Sequence, residues 1–447
     1  MRSVLQLKSK TQIAFRLLSR LYGSDYGMLF VLLLLVVAFS LLTLTEQHPT
    51  GDAAGLEVAK RIASTQPNAN VLIVARDTGE DRAFSEAANA KLQELGANVL
   101  DVVHGQAPDA RKSMEAILEN SQQIDAVATV QAVAKWTVFD KVEGVGSSKC
   151  VTPQPHTWPN FLKLSNVLNI ASQTAIYAII AIGMTMVIIT AGIDLGVGSL
   201  VALAAVTSAV VIRDWGGGTE ASVDMIVVGT LAGVVICALA GALCGIAITW
   251  FELPPFIMTL GSMLIARGLA RRFAEDESVP ELPDGFFWLG AEQTFGVPNP
   301  VWLMIVLYAI AHIVMTRTVF GRYVYAVGGN LEAARLSGVP VRRIVLSVYT
   351  ICGALSGLGG VVLASQLRTG DPKFGEMYEL DVIAAVVVGG TSLMGGSGKI
   401  LGTLIGAFII TIIRNGMNLM NVAAFNQGIV LGSVLLGAVL LDQLKRR

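Results

Sequence analysis

Long apolar spans follow one another closely from residue 167 to the end of this chain. Only 15% of the residues are charged, whereas a soluble domain carries about a quarter. A bilayer-crossing helix needs about 20 predominantly apolar residues. The pattern therefore predicts an all-α polytopic membrane protein. Its spans cover residues 167–190, 196–212, 223–250, 254–271, 301–316, 343–365, 380–392, 400–419 and 425–441.

Another apolar span precedes this region at residues 28–45. A signal peptide is the competing interpretation, but the span is longer than the usual apolar core of a signal and no Ala-x-Ala site follows. We therefore expect a retained first helix and about ten transmembrane helices in all. A cytoplasmic N-terminus is expected from the basic residues before the span, which are Arg2, Lys8, Lys10, Arg16 and Arg20.

Residues 46–159 have a different composition, with acidic residues in excess and no span long enough to cross a bilayer. Strand and helix patterns alternate at short spacing, which predicts βαβ units and a parallel sheet. Because one transmembrane helix precedes it, this α/β insert is expected outside the cytoplasm, and residues 144–159 read as a Ser/Pro/Gly linker back to the membrane. The predicted strands are 71–75, 97–103 and 124–130, and the predicted helices are about 55–63, 84–95 and 109–121.

The longest polar, arginine-bearing segment between two apolar spans is residues 317–343, and its arginines place it in the cytoplasm. Within it, residues 330–338 predict one short helix. Asn330 can cap its start, and Gly338 followed by Pro340 ends it.

Three motifs in this chain resemble one family. Glu332-Ala333-Ala334 with Gly338 is similar to the front half of the coupling loop of permeases driven by ATP-binding-cassette subunits. The wider run GGNLEAARLSGV resembles ribose/xylose/galactose-type sugar permeases and their branched-chain amino-acid relatives. Residues 191–200 (AGIDLGVGSL) and 388–398 (VGGTSLMGGSG) strengthen the resemblance, which covers residues 160–447 well.

The resemblance implies a permease subunit of an importer in the cell inner membrane that translocates a monosaccharide. Its expected partners are an ATP-binding-cassette ATPase, a second permease subunit (identical or related), a soluble extracytoplasmic sugar-binding protein and the lipid bilayer. ATP and magnesium would be used by the ATPase, and no cofactor by this chain. The resemblance also implies that the coupling contact uses Glu332, Ala333, Ala334, Arg335 and Gly338.

The insert is in turn similar to the first lobe of soluble sugar-binding proteins, with Glu94-Leu95-Gly96-Ala97 as the turn between a helix and a strand. Such turns are common in α/β folds. The alternatives are an insert without a ligand and an insert that docks a partner or senses a ligand, because a fold does not fix a function.

Asp194 is an acid between apolar spans, with Gly196 and Gly198 after it. A carboxylate deep in lipid is costly, so it should face protein or water. It is either a helix cap or a pathway residue at a broken helix. The charged residues Arg267, His312, Asp381 and Arg414 fall near predicted span ends, which argues against a proton-driven carrier.

Residues 389–398 are too rich in glycine for a regular membrane helix, and such backbone is tolerated only where protein or water satisfies it. The family resemblance makes this a re-entrant element near the pathway. A phosphate-binding loop is excluded, because Leu393 stands where that motif needs Gly and Ile400 where it needs Ser or Thr. The chain is therefore predicted to have no catalytic residues and no ATPase activity. The broken-helix candidates are Gly389, Gly390, Thr391, Ser392, Gly395 and Gly396.

Candidates for binding a substrate follow from polarity alone, because sugar sites use amide and hydroxyl side chains with aromatic faces. A branched-chain amino-acid permease and a non-transporting receptor that senses ligand through the insert remain alternatives. The near-zero net charge suggests no nucleic-acid partner, and no metal site is indicated. The polar candidates are Asn166, Asn169, Gln173, Asn415, Asn418 and Asn421.

An even number of spans places residues 317–343 and the basic C-terminus (445–447) on the same side as the N-terminus. Arg271 and Arg272 would fall outside, against the positive-inside rule, unless the acids at 275–277 neutralise them. Glycine pairs four residues apart predict close helix packing in lipid. These pairs are Gly229/Gly233, Gly241/Gly245, Gly353/Gly357, Gly402/Gly406 and Gly428/Gly432.

Overall fold

The computed structural model describes residues 27–446, and the side chains as far as residue 440. The basic residues Arg2 to Arg20 and the charges at 445–447, on which the predicted orientation partly rests, lie outside the described residues or side chains. The chain forms two compact units. One runs from Leu44 to Pro159, and the other contains the remainder of the described chain.

The first helix, α1, is Gly27–Leu42, close to the predicted 28–45. The unit from Leu44 to Pro159 then holds six strands and five helices. Its strands are β1 Leu44–Gln47, β2 Asn70–Ala75, β3 Asn98–His104, β4 Ala126–Thr129, β5 Cys150–Val151 and β6 His156–Pro159. Its helices are α2 Gly51–Thr65, α3 Gly79–Glu94, α4 Ala107–Glu119, α5 Gln131–Ala134 and α6 Val138–Lys141.

The predicted parallel arrangement of the insert is confirmed. Four parallel strands lie in the order β3-β2-β4-β5. After Asn70 the central strand β2 is apolar on both faces because helices cover it, and Leu72 and Ile73 have no exposed surface. At Gly55 a side chain would overlap the backbone of Phe84, so α2 and α3 are in close contact.

The prediction that residues 144–159 are a plain linker is wrong. β5 extends the parallel sheet, and β6 pairs antiparallel with β1, so Leu44 lies opposite Pro159. Short strands of two to four residues carry too little periodicity to be read from sequence. Cys150 of β5 is a free thiol, and burial raises its pKa to about 12.

The second unit is helical. Six of its helices are long and apolar enough to cross a membrane, and α1 and the last helix are shorter apolar helices. The six are α7 Leu164–Ile189, α8 Val197–Val210 with a π-helical continuation Val211–Trp215, α9 Val223–Trp250, α12 Asn299–Arg317, α15 Val341–Leu367 and α17 Ile400–Leu419. The others are α10 Pro255–Phe273, α11 Asp284–Phe287, α13 Val319–Gly329, α14 Leu331–Leu336, α16 Tyr378–Val388 and α18 Ala424–Arg446, with a small hairpin of β7 Gln293–Thr294 and β8 Val297–Pro298 before α12.

Each predicted span corresponds to a helix, but two details of the prediction are wrong. The eighth span was expected to run from 380 to 392, whereas α16 ends at Val388 because Gly389 and Gly390 break it. In addition, residues 317–343 contain α13 as well as the expected short helix. Its apolar positions are spaced for an amphipathic helix, but the arginines of this segment made it resemble a polar loop.

Glycines bring the helices of this unit into backbone contact, as predicted. A side chain at Gly353 of α15 would overlap the carbonyl oxygen of Cys237 in α9, and one at Gly241 would overlap that of Tyr349. Helices in lipid gain nothing from the hydrophobic effect between them, so such close contact holds them together. The prediction is wrong for Gly428 and Gly432, where open space surrounds the added carbon within the described residues.

Replacing Gly353 by alanine should therefore destabilise the protein. The new methyl group forces α9 and α15 apart, and overpacking of this kind costs about 1–3 kcal/mol. We expect a lower midpoint of thermal unfolding in detergent for Gly353→Ala and an unchanged midpoint for Gly428→Ala. Equal midpoints for the two variants would contradict the helix contact described here.

Candidate functional site

The short polar helix predicted from sequence is α14, and its cap is the predicted one. The side-chain oxygen of Asn330 accepts a hydrogen bond of 2.9 Å from the amide of Ala333. After the helix, Gly338 adopts a positive φ of 82°, which favours glycine, and Pro340 precedes α15. An N-terminal cap of this type contributes about 1 kcal/mol.

The outer surface of α14 is open. Glu332, Ala333 and Arg335 are exposed, whereas Ala334 is buried against the rest of the unit. Leu336 is 87% exposed, which is unusual for a leucine on a helix as short and polar as this one. No ion pair joins Glu332 to Arg335 in the part of the chain that the structure describes. The helix therefore presents a mixed polar and apolar surface suited to a protein partner.

The preceding helix, α13, packs on the broken segment 389–399. The Tyr325 hydroxyl donates a hydrogen bond of 2.8 Å to the carbonyl of Gly398. A side chain at Gly328 would overlap the carbonyl oxygen of Ile189 at the end of α7. Helix α13, the end of α7 and the broken segment are thus direct neighbours, and α14 follows α13 in the chain.

The broken segment is a compact turn rather than an open loop. The amide of Ser392 donates to the carbonyl of Ser397 at 3.0 Å, and the amide of Gly396 donates to Ile189 at 2.9 Å. Gly390, Gly395 and Gly396 adopt positive φ values. At Gly395 and Gly396 there is also no space for a side chain, because α13 and Ala191 lie against them. Thr391 and Ser392 are buried in the same turn.

Asp194 lies in the connection between α7 and α8, which it helps to shape. Its Oδ1 accepts a hydrogen bond of 2.8 Å from the amide of Gly196, and the residue is 3% exposed. Gly196, rather than Asp194, occupies the N-cap position of α8. Gly198 in the first turn has no space for a side chain because the carbonyl of Gly375 and the carboxylate of Glu379 lie against it. The predicted helix-cap role of Asp194 is therefore wrong, because its carboxylate bonds the turn before α8 and α8 has no side-chain cap. A role in the pathway stays a prediction.

The predicted polar candidates fall into separate groups. Asn166 and Asn415 exchange two amide hydrogen bonds of 3.0 and 2.9 Å, which tie α7 to α17. Gln173 donates to Asn169 at 3.2 Å on α7. Asn418 accepts a bond of 2.8 Å from Gln427, whereas Asn421 adopts a positive φ in the turn after α17. Binding of substrate by any of them stays a prediction.

Asn169 also lines a cleft of about 310 Å³ at the opposite end of the unit from α14. Its other polar lining residues come from α7, the end of α15 and the hairpin before α12. They are Ser165, Ser172, Gln293 and Gln366.

Sequence reasoning underrated two arginines inside this unit. Arg267 of α10 donates hydrogen bonds of 2.6 and 2.7 Å to the carbonyls of Pro372 and Phe374. Arg414 of α17 forms an ion pair of 2.5 Å with Asp381 of α16. The sequence signal for both arginines was a charged residue within or beside an apolar span. Arg267 thus contacts the irregular stretch 371–377, whereas Arg414 contacts the helix that follows it.

The comparisons with known proteins agree with this architecture. The family described as "Branched-chain amino acid transport system / permease component" matches residues 166–441. This chain belongs to that family. The match covers most of the helical unit and leaves out the α/β insert.

Relatives within the family include sugar permeases. The ribose import permease protein RbsC of Escherichia coli (strain K12) is 43% identical over 292 residues, which are 64% of this chain and 88% of that protein. The corresponding protein of Bacillus subtilis (strain 168) is 43% identical over 64% of this chain and 87% of its own length. The L-arabinose transport system permease protein AraH of E. coli (strain K12) is 37% identical over 65% of this chain and 86% of that protein. No solved structure matches the chain significantly.

The contact of α13 with α7 can be tested by a pair of neighbouring glycines. Gly328→Ala should disturb the broken segment, because backbone must move to accommodate the methyl group. Gly329→Ala should be tolerated, because nothing lies within 4 Å of its added carbon. We expect a marked loss of transport for Gly328→Ala alone, measured at equal amounts of membrane-inserted protein. Equal transport by the two variants would contradict the arrangement.

Proposed function

We propose that this chain is the membrane permease subunit of an ATP-driven importer of a monosaccharide in the cell inner membrane. The observation that carries the proposal is the exposed helix α14 on a family fold whose relatives include ribose and arabinose permeases. A capped helix with an almost fully exposed leucine is suited to insertion into a groove of a partner.

The proposed topology has ten helices that cross or enter the bilayer, namely α1, α7, α8, α9, α10, α12, α15, α16, α17 and α18. The N- and C-termini and residues 317–343 would be cytoplasmic, and the insert extracytoplasmic. An ion-pair distance of 3.7 Å between Arg271 and Asp276 supports local neutralisation of the arginines that break the positive-inside rule.

The proposed partners are an ATP-binding-cassette ATPase at α14, a second permease subunit and a soluble sugar-binding protein. ATP and magnesium would be bound by the ATPase, because this chain has no phosphate-binding loop. Movement of α14 would pass through α13 to Ile189 and the broken segment, since these elements are in direct backbone contact. That route couples nucleotide hydrolysis to the segment we assign to the pathway.

The insert would serve as an extracytoplasmic docking or sensing domain. The support for this assignment comes from the fold alone. Parallel sheets of this kind bind ligands at the loops that follow their strands. Residues around that edge are already paired, with Arg76 and Asp81 at 2.6 Å and Arg82 and Asp77 at 2.6 Å.

The docking surface can be tested with two exposed apolar residues, Leu336 on α14 and Phe295 in the hairpin before α12. Leu336→Asp places a charge in the proposed groove and should abolish co-purification of the ATPase subunit. The control is Phe295→Asp, because Phe295 is 94% exposed but lies before α12. We expect the control to retain the ATPase. Retention by both variants would exclude α14 as the docking element.

The substrate class can be tested by uptake in native cells that lack the chromosomal copy of this gene. Labelled ribose, xylose and arabinose represent the proposed class, and leucine represents the branched-chain amino acids named in the family description. We expect loss of monosaccharide uptake with unchanged leucine uptake, restored by the full chain. Loss of leucine uptake alone would favour the amino-acid permease, and a ligand response without any uptake would favour a receptor.

A further inference from the structure

Four polar side chains from three helices meet inside the helical unit. Tyr177 of α7 lies against Tyr378 of α16, with ring centroids 4.6 Å apart. Asp381, one turn further along α16, forms its 2.5 Å ion pair with Arg414 of α17. Neither the family nor the proposed function assigns a role to this cluster.

The cluster lies level with the middle of α7. Tyr177 is halfway along α7, a helix that is long enough to cross the bilayer. A charged pair at this depth is costly and requires a compensating environment. The Nε of Arg414 is buried and has no hydrogen-bond partner among the described residues, so the pair does not satisfy all of its own donors.

The cluster reaches the surface of the unit on one side. The side chain of Arg414 is 31% exposed, and Glu376 is exposed on the adjoining stretch. Met377 and Leu380 are 58% and 42% exposed there. Charged groups at mid-membrane depth face protein or a water-filled space rather than lipid. This surface is therefore turned to a protein partner or to an aqueous pathway and not to lipid.

We propose that Tyr177, Tyr378, Asp381 and Arg414 form a mid-membrane binding site for a neutral polyhydroxylated ligand, a carbohydrate. The inference rests on the proposed transport function and deepens it. Carboxylate and guanidinium groups together accept from and donate to hydroxyl groups, and the aromatic rings offer an apolar face. The site is electrically balanced, which suits a neutral ligand better than a charged one.

The stretch that carries Tyr378 is held in place from α10. Two hydrogen bonds from Arg267 to the carbonyls of Pro372 and Phe374 fix residues 371–377, whose backbone is not helical. Arg267 is thus a positioning residue for this site. Half-helices that begin inside the membrane next to irregular backbone are a common way to build a transport site.

The first test measures whether the surface is aqueous and occupied by sugar. Met377→Cys in the assembled transporter should react with a charged, water-soluble maleimide. Leu239→Cys, at an equally exposed (59%) position on α9, should react about tenfold more slowly, because thiolates do not form in lipid. The wild-type protein, with three buried cysteines and one half-buried, gives the background. Saturating ribose should slow labelling of Met377→Cys, and labelling that is absent or indifferent to every monosaccharide tested overturns the proposal.

The second test separates ligand contact from mere stability. Tyr378→Phe and Asp381→Asn should change the ratio of ribose to arabinose import by about tenfold, as lost contacts to hydroxyl groups do. A structural role would lower both rates by one factor. The charge-reversed double variant, Asp381→Arg with Arg414→Asp, should keep an altered ratio of ribose to arabinose import. A return of this ratio to the wild-type value would overturn the site. If the wild-type chain imports no monosaccharide, both the proposed function and the ligand class are wrong. If it imports monosaccharides but the variants leave the ribose-to-arabinose ratio unchanged, only the site is wrong.

Discussion

Lipid offers the backbone no hydrogen-bond partners, and the helical unit is built around that constraint. Residues 190–196, 371–377 and 389–399 are three of the stretches in which the chain leaves helical geometry within this unit. In each case protein groups take the place of water. Asp194 bonds the first stretch, Arg267 the second, and the end of α7 the third. Each irregular stretch is consequently held to the unit by these partners, while some of its side chains, such as Met377, remain exposed.

The same constraint explains why several glycines of this unit leave no space for a side chain. Where two backbones touch without intervening side chains, neither can slide or rotate independently. The contact of Gly328 with Ile189 and that of Gly353 with Cys237 are of this kind. A side-chain contact can adjust to a displacement by changing rotamer. A backbone contact cannot, so it transmits the displacement to the neighbouring helix. The unit thus combines close helix contacts with short broken segments.

The sequence predicted the elements of both units well, because long apolar spans and capped helices leave local signals. Asn330 and Gly338 marked α14 correctly, and Gly389 and Gly390 explain where α16 ends. The strands β5 and β6 were missed because they are short, and α13 because the arginines of residues 317–343 made that segment resemble a polar loop. The pair of Asp381 and Arg414 could not be predicted, since it joins two helices through a contact that leaves no periodicity. Neither could the exchange of bonds between Asn166 and Asn415.

The insert begins and ends at adjacent points, because Leu44 lies opposite Pro159 in the β1–β6 pair. Within the helical unit, the amide of Asn160 also donates to the carbonyl of Thr43 at 2.9 Å. The two ends of the insert are therefore hydrogen-bonded to each other where the chain leaves and re-enters the helical unit. The length of the insert then does not affect the positions of the helices before and after it. A gene could gain, lose or exchange such a domain without changing the membrane architecture, which fits a family match that covers residues 166–441 and leaves out the insert.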